Sequence, residues 1–320
     1  MNITDVYEPV RGGLAIVENR LKLLAGTESE SLNRLLDHVL NQGGKRLRPA
    51  LTLLVGQSYD CELDLLIPMA TAVELFHTAT LVHDDTVDAS SLRRGKPTIN
   101  SMWGGARAVL FGDYLFALAA ELAATTGNLR VVTLFAQTLR TVSASELTQS
   151  FRNFDLSQSR QRYYENIATK TASLFVLATE SGAVLGRAPD DLVAVCRDYG
   201  YNLGMAFQIV DDILDFVGAE ADLGKPVGAD LLHGVVTLPV ILTIERNPGD
   251  LRLIRLFENK NESSVKAVLE MASDKSLISE SYRIATEFCA RARRCAEKLP
   301  HGLASKALID LTEYVTARRS

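Results

Sequence analysis

The sequence predicts an all-α fold, and three observations support this prediction. Apolar residues recur every three or four positions through long segments, which is the period of a helix. The alternating pattern typical of strands is nearly absent. Clusters of Gly and Pro fall between the periodic segments, where turns are expected. The predicted helical segments are Leu14–Leu24, Leu32–Leu40, Leu63–Val87, Ala108–Ala124, Val131–Leu147, Ile167–Leu185 and Leu192–Phe216.

Breaker motifs justify the boundaries of these helices in chain order. They are GGKRLRP at 43–49, RGKPT at 94–98, GRAPDD at 186–191, GKPVGADLLHGVVTLP at 224–239 and RNPGD at 246–250. Asp190 or Asp191 is expected to cap the helix that follows. Since no low-complexity linker divides the chain, we expect one all-α domain over residues 1–320. Its last part, residues 240–320, reads as amphipathic helices without evident chemistry.

Composition narrows the class of protein. A chain of 320 residues with 47% hydrophobic and 23% charged residues can bury a sizeable core as an ordinary soluble protein. The net charge of −5 offers no basic field for nucleic acid, so no nucleic-acid partner is expected. Four scattered cysteines without C-x-x-C spacing favour reduced thiols in a cytosolic chain.

The N-terminus and the most apolar stretch bear on localisation. The start, MNITDVYEPVRGG, lacks the apolar centre of a signal peptide, which favours a cytoplasmic protein. The apolar segment 106–124 contains or adjoins Arg107, Asp113 and Glu121, so a helix buried in a soluble core is favoured over a membrane span.

Two aspartate clusters interrupt the apolar helices. The first is Asp84, Asp85 and Asp88, and the second is Asp211, Asp212 and Asp215. Carboxylates four residues apart share one helical face, about 6 Å apart at the Cβ atoms, and repel each other. One such cluster is consistent with a solvated helix end. Two clusters, each ending an apolar helix, indicate a site where Mg²⁺ binds carboxylates together with phosphate oxygens.

Basic residues at loops and helix ends supply the opposite charge. They are Lys45, Arg46 and Arg48, then Arg93, Arg94 and Lys96, then Lys170 beside Thr171, and finally Lys225. Each set alone is consistent with surface charge. Together with the acidic clusters they predict two phosphate positions, one bridged by metal and one held by Arg and Lys alone.

The motif series resembles the trans-isoprenyl diphosphate synthases, the polyprenyl synthetase family. In order the chain contains GGKRLRP, HTATLVHDDTVD, RRGKPT, SELTQ, KTASLF, and FQIVDDILD followed by GKPVGAD, within residues 43–239. The resemblance implies a helical bundle around a deep central cavity and a homodimer. It also implies a prenyltransferase that condenses isopentenyl diphosphate head-to-tail onto an allylic diphosphate, giving an all-trans polyprenyl diphosphate.

The family's residue roles carry over to the matching positions. The resemblance implies that both aspartate motifs hold magnesium, with three ions in each active site. The residues implied to contact the allylic diphosphate are Arg93, Lys170, Thr171, Gln208 and Lys225. Those implied to contact isopentenyl diphosphate are Lys45, Arg46, Arg48, His77 and Arg94. One position departs from the family pattern: Val235 stands where many members have a lysine, which predicts weaker allylic binding or a different branch.

Small residues before the first aspartate motif predict a long product. In the family the growing chain descends along this helix, gated by residues four and five before the first aspartate, here Thr80 and Ala79. These lie about 6–7.5 Å along the axis from Asp84. Since both are small, we expect a product of thirty carbons or more. The tunnel floor is predicted at Phe76, or on the 106–124 helix at Phe111, Tyr114 or Leu115, although each aromatic is also consistent with ordinary core.

Other functions remain open at this point. A geranylgeranyl or farnesyl diphosphate synthase would share the chemistry but make a shorter product. A class I terpene cyclase shares the first motif, but DDILD and GGKRLRP favour the synthase. A non-catalytic subunit of a heteromeric synthase would tend to lose the aspartates. A phosphohydrolase using His83 and Asp84 would need further histidines at suitable spacing, which the sequence lacks. A long product also predicts transient membrane contact without an encoded span.

Overall fold

The computed structural model describes residues 2–41, 43–93, 95–150, 159–217, 228, 231, 234–259 and 262–318. Its first half contains α1 (Ile3–Val6), a 3₁₀ turn (Glu8–Val10), α2 (Arg11–Leu23), α3 (Glu30–Leu40), α4 (Leu47–Gln57), α5 (Leu63–Val87), β1 (Leu92–Arg93), β2 (Lys96–Pro97), α6 (Ile99–Trp103), α7 (Gly105–Thr125) and α8 (Leu129–Ser150). The second half contains α9 (Arg160–Ile167), a π-helical turn (Ala168–Ala172), α10 (Ser173–Leu185), α11 (Asp190–Val217), α12 (Leu238–Arg246), α13 (Leu251–Asn259), α14 (Glu262–Ala272), α15 (Lys275–Ala296) and α16 (Leu303–Ala317). The predicted all-α class is confirmed.

Most predicted helix ends lie within one to three residues of the observed ends, but α4 was not among the predicted segments, and two further differences are larger. The expected helix 167–185 begins earlier, at Arg160, and is interrupted by the π-helical turn. The expectation that Asp190 or Asp191 caps α11 is wrong, because both residues lie in its first turn. Negative charge there is favoured by the helix dipole, which explains why acidic residues suit this position without capping it.

The core is organised around α5, α10 and α11. Helix α5 packs against α7, α10 lies between α4 and α11, and α11 packs along α15. Both α5 and α7 are long and apolar enough to cross a membrane by composition, but 72% of the most apolar window of α5 is buried inside the protein, against 39% for α7. The apolar content of α5 is therefore explained by the core. Helix α7, predicted as a helix buried in a soluble core, buries only one face and leaves the other exposed.

A short hairpin folds back against the end of α5. Strand β1 pairs antiparallel with β2, with Arg93 opposite Lys96, and Gly95 takes φ +74° in the turn, a conformation that glycine adopts without steric cost. His38 on α3 holds the hairpin, since its Nε2 atom lies 2.8 Å from the carbonyl oxygen of Pro97. The hairpin thereby returns Arg93 to the first aspartate motif.

Close helix contacts in the core predict a large stability difference between two glycine sites. A Cβ added at Gly182 on α10 would lie 2.6 Å from the backbone oxygen of Thr52 on α4, whereas one added at Gly12 on α2 meets nothing within 4 Å. We expect Gly182→Ala to lower the free energy of unfolding by about 1–3 kcal/mol, because the two helices must separate. Gly12→Ala should raise it by up to about 1 kcal/mol. Urea unfolding of both variants checks this, and equal effects would contradict it.

Candidate active site

The first aspartate motif lies where α5 ends. The helix stops at Val87, and Asp88 is its C-cap, with its N–H bonded to the carbonyl oxygen of Asp84. Asp85 is only 6% exposed, and burial raises its pKa even though Arg93 donates a 2.8 Å hydrogen bond to it. Carboxylates at a helix C-terminus oppose the helix dipole. The aspartates therefore destabilise the end of α5. Their presence there is better explained by binding of a cationic ligand than by a contribution to the stability of the helix.

Lys170 joins the first motif to a second acidic residue. Its Nζ atom lies 3.4 Å from Asp84 Oδ2 and 2.9 Å from Glu146 Oε1. Burial of the ammonium group opposes its charged form, but the two carboxylates outweigh burial and raise the pKa of Lys170. Glu146 comes from the SELTQ motif, and no role was predicted for it although the motif was noted. The pair keeps a positive charge beside Asp84.

The π-helical turn connects Lys170 to the second aspartate motif. Thr171, the next residue, donates from its hydroxyl to Gln208 Oε1 at 2.6 Å. Gln208 in turn donates to Asp212 Oδ1 at 2.7 Å, and Tyr163 donates to Asp212 Oδ2 at 2.6 Å. Two neighbouring residues of one turn are thus linked to the two motifs: Lys170 contacts Asp84 directly, and Thr171 reaches Asp212 through Gln208. Such π turns occur frequently at functional sites.

The remaining residues of the second motif differ in exposure. Asp212 and Asp215 are buried, at 3% and 0% exposed, whereas the side chain of Asp211 is 51% exposed and lies 3.0 Å from Arg318 Nη2. The Arg318 guanidinium also stacks over Phe207, at 4.4 Å from the ring centre. Arg318 thus brings residues 240–320, for which the sequence predicts no chemistry, into contact with the second aspartate motif. Sequence spacing could not find it, because Arg318 and Asp211 are far apart in the chain.

The donor set fits hard divalent cations bound together with phosphate. Within the described part of the chain, no three His, Cys, Asp or Glu side chains form a ready-made metal cage. The available ligands are carboxylate oxygens on α5 and α11, and Mg²⁺ binds in such settings through one or two carboxylates plus waters and substrate oxygens. Arg318 Nε and Nη1 are buried and have no hydrogen-bond partner among the described residues. In the described chain, only Nη2 of this guanidinium is paired, with Asp211 of the second motif.

A cleft opens beside the first motif. Among its lining residues are Gly43, Arg46, Glu74, His77, Asp85 and Arg93. The structure thus brings His77 and Arg93, two residues predicted to contact substrate, into one cleft with Asp85. Two other residues predicted to contact isopentenyl diphosphate have contacts elsewhere. The Arg48 guanidinium lies 5.0 Å from the centre of the Phe175 ring. The backbone oxygen of Lys45 accepts a hydrogen bond from the Tyr7 hydroxyl.

Two predicted contacts, Arg94 and Lys225, lie outside the described residues. Val235, at the usual lysine position, is described and partly buried. It precedes α12, which begins at Leu238.

The predicted chain-length residues lie on one stretch of α5. Ala79 and Phe76 are fully buried, and Thr80 is partly buried with its hydroxyl donating to the His77 carbonyl. The Phe76 ring makes edge-to-face contacts with Phe116 on α7 and Phe135 on α8, each at 5.2 Å between centroids. Three helices thereby place three aromatic rings one turn below Ala79. The other floor candidates are Phe111 and Leu115, which are buried, and Tyr114, which is partly buried.

Phe116 and Phe135 were missed in the sequence, where nothing distinguishes them from other core aromatics. The position of the His83 side chain is determined by its contact with α7, because its Nε2 atom lies 3.0 Å from the Val109 carbonyl oxygen. Gly112 permits this approach, since a Cβ there would lie 2.2 Å from the same nitrogen. His83 is thus engaged by α7 and flanks the aspartates.

Comparison with known proteins identifies the family. The polyprenyl synthetase family model matches residues 29–273. A prenyl transferase from Synechocystis is 36% identical over 99% of both chains, and heptaprenyl diphosphate synthase component 2 from Geobacillus stearothermophilus is 35% identical over 99% of both. The crystal structure of a polyprenyl synthase from Caulobacter crescentus complexed with calcium and isoprenyl diphosphate is 34% identical, with a TM-score of 0.93 over 100% of this chain and 98% of that one.

The chain belongs to the polyprenyl synthetase family. The predicted family and the predicted enzyme class, a trans-prenyltransferase, are confirmed. The relatives also support the predicted product of thirty carbons or more.

Proposed function

We propose that the chain is a trans-polyprenyl diphosphate synthase, which adds isopentenyl diphosphate repeatedly to an allylic diphosphate. The observation that carries this proposal is the path from Asp84 through Lys170 and Thr171 to Gln208 and Asp212. It joins two carboxylate clusters to a cationic side chain, which is the arrangement needed to hold a diphosphate as it leaves.

The aspartates of both motifs would hold three Mg²⁺ ions in each active site. When bound, these ions would neutralise the charge on the departing diphosphate. Lys170 and Arg318 would add positive charge on either side of this group. Arg93, beside Asp85, would contact the same diphosphate, with Lys225 as a further predicted contact, whereas Arg94 is predicted to contact isopentenyl diphosphate. Lys45, Arg48 and His77 would bind isopentenyl diphosphate.

The reaction breaks the allylic carbon–oxygen bond, and diphosphate leaves with the bonding electrons. The alkene of isopentenyl diphosphate then forms the new carbon–carbon bond, and the proton lost from it passes to the released diphosphate. The Thr171 hydroxyl and the Gln208 amide would stabilise the allylic cation in a site closed to water. Because each product is again an allylic diphosphate, the cycle repeats until the chain fills the available space.

The product length is set, in this proposal, by the space below Ala79 on α5. The small side chains of Ala79 and Thr80 let the chain pass, and the ring cluster of Phe76, Phe116 and Phe135 would form the floor. Phe116 and Phe135 are additions to the floor residues predicted from the sequence. A product of this length is apolar, which favours transient membrane contact of a cytoplasmic enzyme during release.

We propose that the exposed face of α7 forms the contact of a homodimer. It exposes Leu110 at 69% and Val109 at 44%, and neighbouring elements expose Met102, Leu129 and Leu147. We expect Leu110→Glu to shift the protein from twice the 35.0 kDa chain mass to the mass of one chain, because a carboxylate would be desolvated at the contact. Light scattering after size exclusion measures this. The matched control is Leu303→Glu, which changes an equally exposed leucine on α16 and should leave the mass unchanged.

A second candidate is a catalytic subunit that requires a different partner chain. The heptaprenyl relative is named component 2, which favours this possibility. The two candidates differ in whether the purified chain is active alone.

The deciding experiment incubates the purified chain with Mg²⁺, labelled isopentenyl diphosphate and, separately, dimethylallyl, geranyl, farnesyl and geranylgeranyl diphosphates. Products are dephosphorylated and sized by chromatography and mass spectrometry. Products of thirty carbons or more are expected. A stop at fifteen or twenty carbons would contradict the length proposal alone. No incorporation with any primer, while the chain is folded and binds diphosphate, would favour the partner-dependent subunit.

A further inference from the structure

Arg46 is held by carboxylates on two other helices. It is the residue before α4, in the left-handed conformation with φ 46° and ψ 35°. Its Nε atom donates to Glu18 on α2, and its Nη1 atom donates to Glu74 on α5 at 2.7 Å. Its Nη2 atom donates to Glu18 and to the Leu40 carbonyl oxygen, each at 3.3 Å. These four bonds use four of the five N–H donors of a guanidinium.

Burial makes this cluster sensitive to the loss of its cation. The side chains of Arg46 and Glu74 are 10% and 8% exposed, and that of Glu18 is 34% exposed. A carboxylate buried without its partner is strongly unfavourable. Glu74 also lines the cleft that contains His77 and Arg93. An uncompensated charge on Glu74 would therefore repel a diphosphate entering that cleft.

The cleft contains a second carboxylate that is paired in the same way. Asp85 accepts a hydrogen bond from Arg93 at 2.8 Å, as Glu74 does from Arg46. Both acidic groups in the cleft wall are thus paired with an arginine. The backbone beside Arg46 is fixed as well, because the Tyr7 hydroxyl donates to the Lys45 carbonyl oxygen at 2.8 Å.

We propose that Arg46 is a positioning residue for isopentenyl diphosphate, which neutralises Glu74 and Glu18 rather than contacting the substrate. This replaces the direct contact that the resemblance implied. It rests on the proposed function, since the cleft is taken as the site of isopentenyl diphosphate. Lys45 and Arg48, which flank Arg46, keep their predicted role as ligands.

The test compares Arg46→Met with the triple variant Arg46→Met/Glu18→Gln/Glu74→Gln in steady-state kinetics. For the single variant we expect KM for isopentenyl diphosphate to rise about tenfold or more, because a like charge then faces the anion. Neither kcat nor KM for farnesyl diphosphate should change by more than about threefold. The triple variant should return KM to within about threefold of wild type, since no unpaired carboxylate is left.

One outcome of this comparison and two further measurements decide the proposal. If the triple variant stays as impaired as Arg46→Met, the guanidinium itself contacts substrate and the proposal is wrong. If Arg46→Met does not fold, the substitute is Arg46→Lys with Glu18→Gln, which keeps one cation opposite Glu74. Its KM for isopentenyl diphosphate should stay within about threefold of wild type, and a tenfold rise would overturn the proposal. Wild-type turnover is measured first in the same assay, so that an inactive wild type contradicts the proposed function and not the role of Arg46.

Discussion

Replacing Asp84 by asparagine should lower kcat by about a thousandfold while the fold is retained. Asp84 lies at the end of α5, 3.4 Å from the ammonium group of Lys170, in the motif proposed to hold Mg²⁺. The amide keeps the size of the side chain but removes its charge. The Lys170 ammonium then faces Glu146 alone, and the leaving diphosphate loses one of the carboxylates that would bind its metal ions.

The measurement is incorporation of labelled isopentenyl diphosphate over a range of Mg²⁺ concentrations. Asp84→Asn should also need more Mg²⁺ for half-maximal rate, because a charged ligand is missing. The matched control is Asp113→Asn. Asp113 lies on α7, and its exposed carboxylate is 3.5 Å from His83. Its replacement should change kcat by less than about threefold. If Asp84→Asn kept more than a tenth of wild-type kcat at saturating Mg²⁺, the proposed metal role of this residue would be wrong.

Replacing Ala79 by phenylalanine should shorten the product to twenty carbons or fewer. Ala79 is fully buried on α5, about one turn before the first aspartate motif. A phenylalanine there adds a rigid ring inside the bundle, above the ring of Phe76, so the growing chain would meet it after few additions. The chemistry at the diphosphate should be nearly unaffected, since Asp84 and Lys170 are unchanged.

Product sizing by mass spectrometry checks this result, with farnesyl diphosphate and geranyl diphosphate as primers. Two variants make the test specific. Ala79→Ser changes the volume little and should keep the wild-type product, whereas Phe135→Ala opens the ring cluster beneath Phe76 and should lengthen it. An unchanged product distribution in Ala79→Phe, with the protein folded and active, would show that the chain does not pass this residue.

Much of the fold and part of the candidate site could be predicted because they depend on local periodicity. The period of apolar residues along α5 and α11 defined both helices, and the four-residue spacing of Asp84 and Asp88 defined a shared face. The order of the motifs then indicated the family. Each of these inferences concerns residues close together in the chain, where helical geometry alone relates one side chain to the next.

The contacts between helices could not be predicted in this way. Thr171 meets Gln208 because the π-helical turn packs against α11, and no spacing pattern in the sequence signals this turn. Arg318 reaches Asp211 from the end of the chain, and Arg46 turns to Glu18 and Glu74. Helical periodicity therefore predicted which residues are presented on each helix, while packing in three dimensions determined their partners, because contacts between distant segments depend on how whole helices fit together.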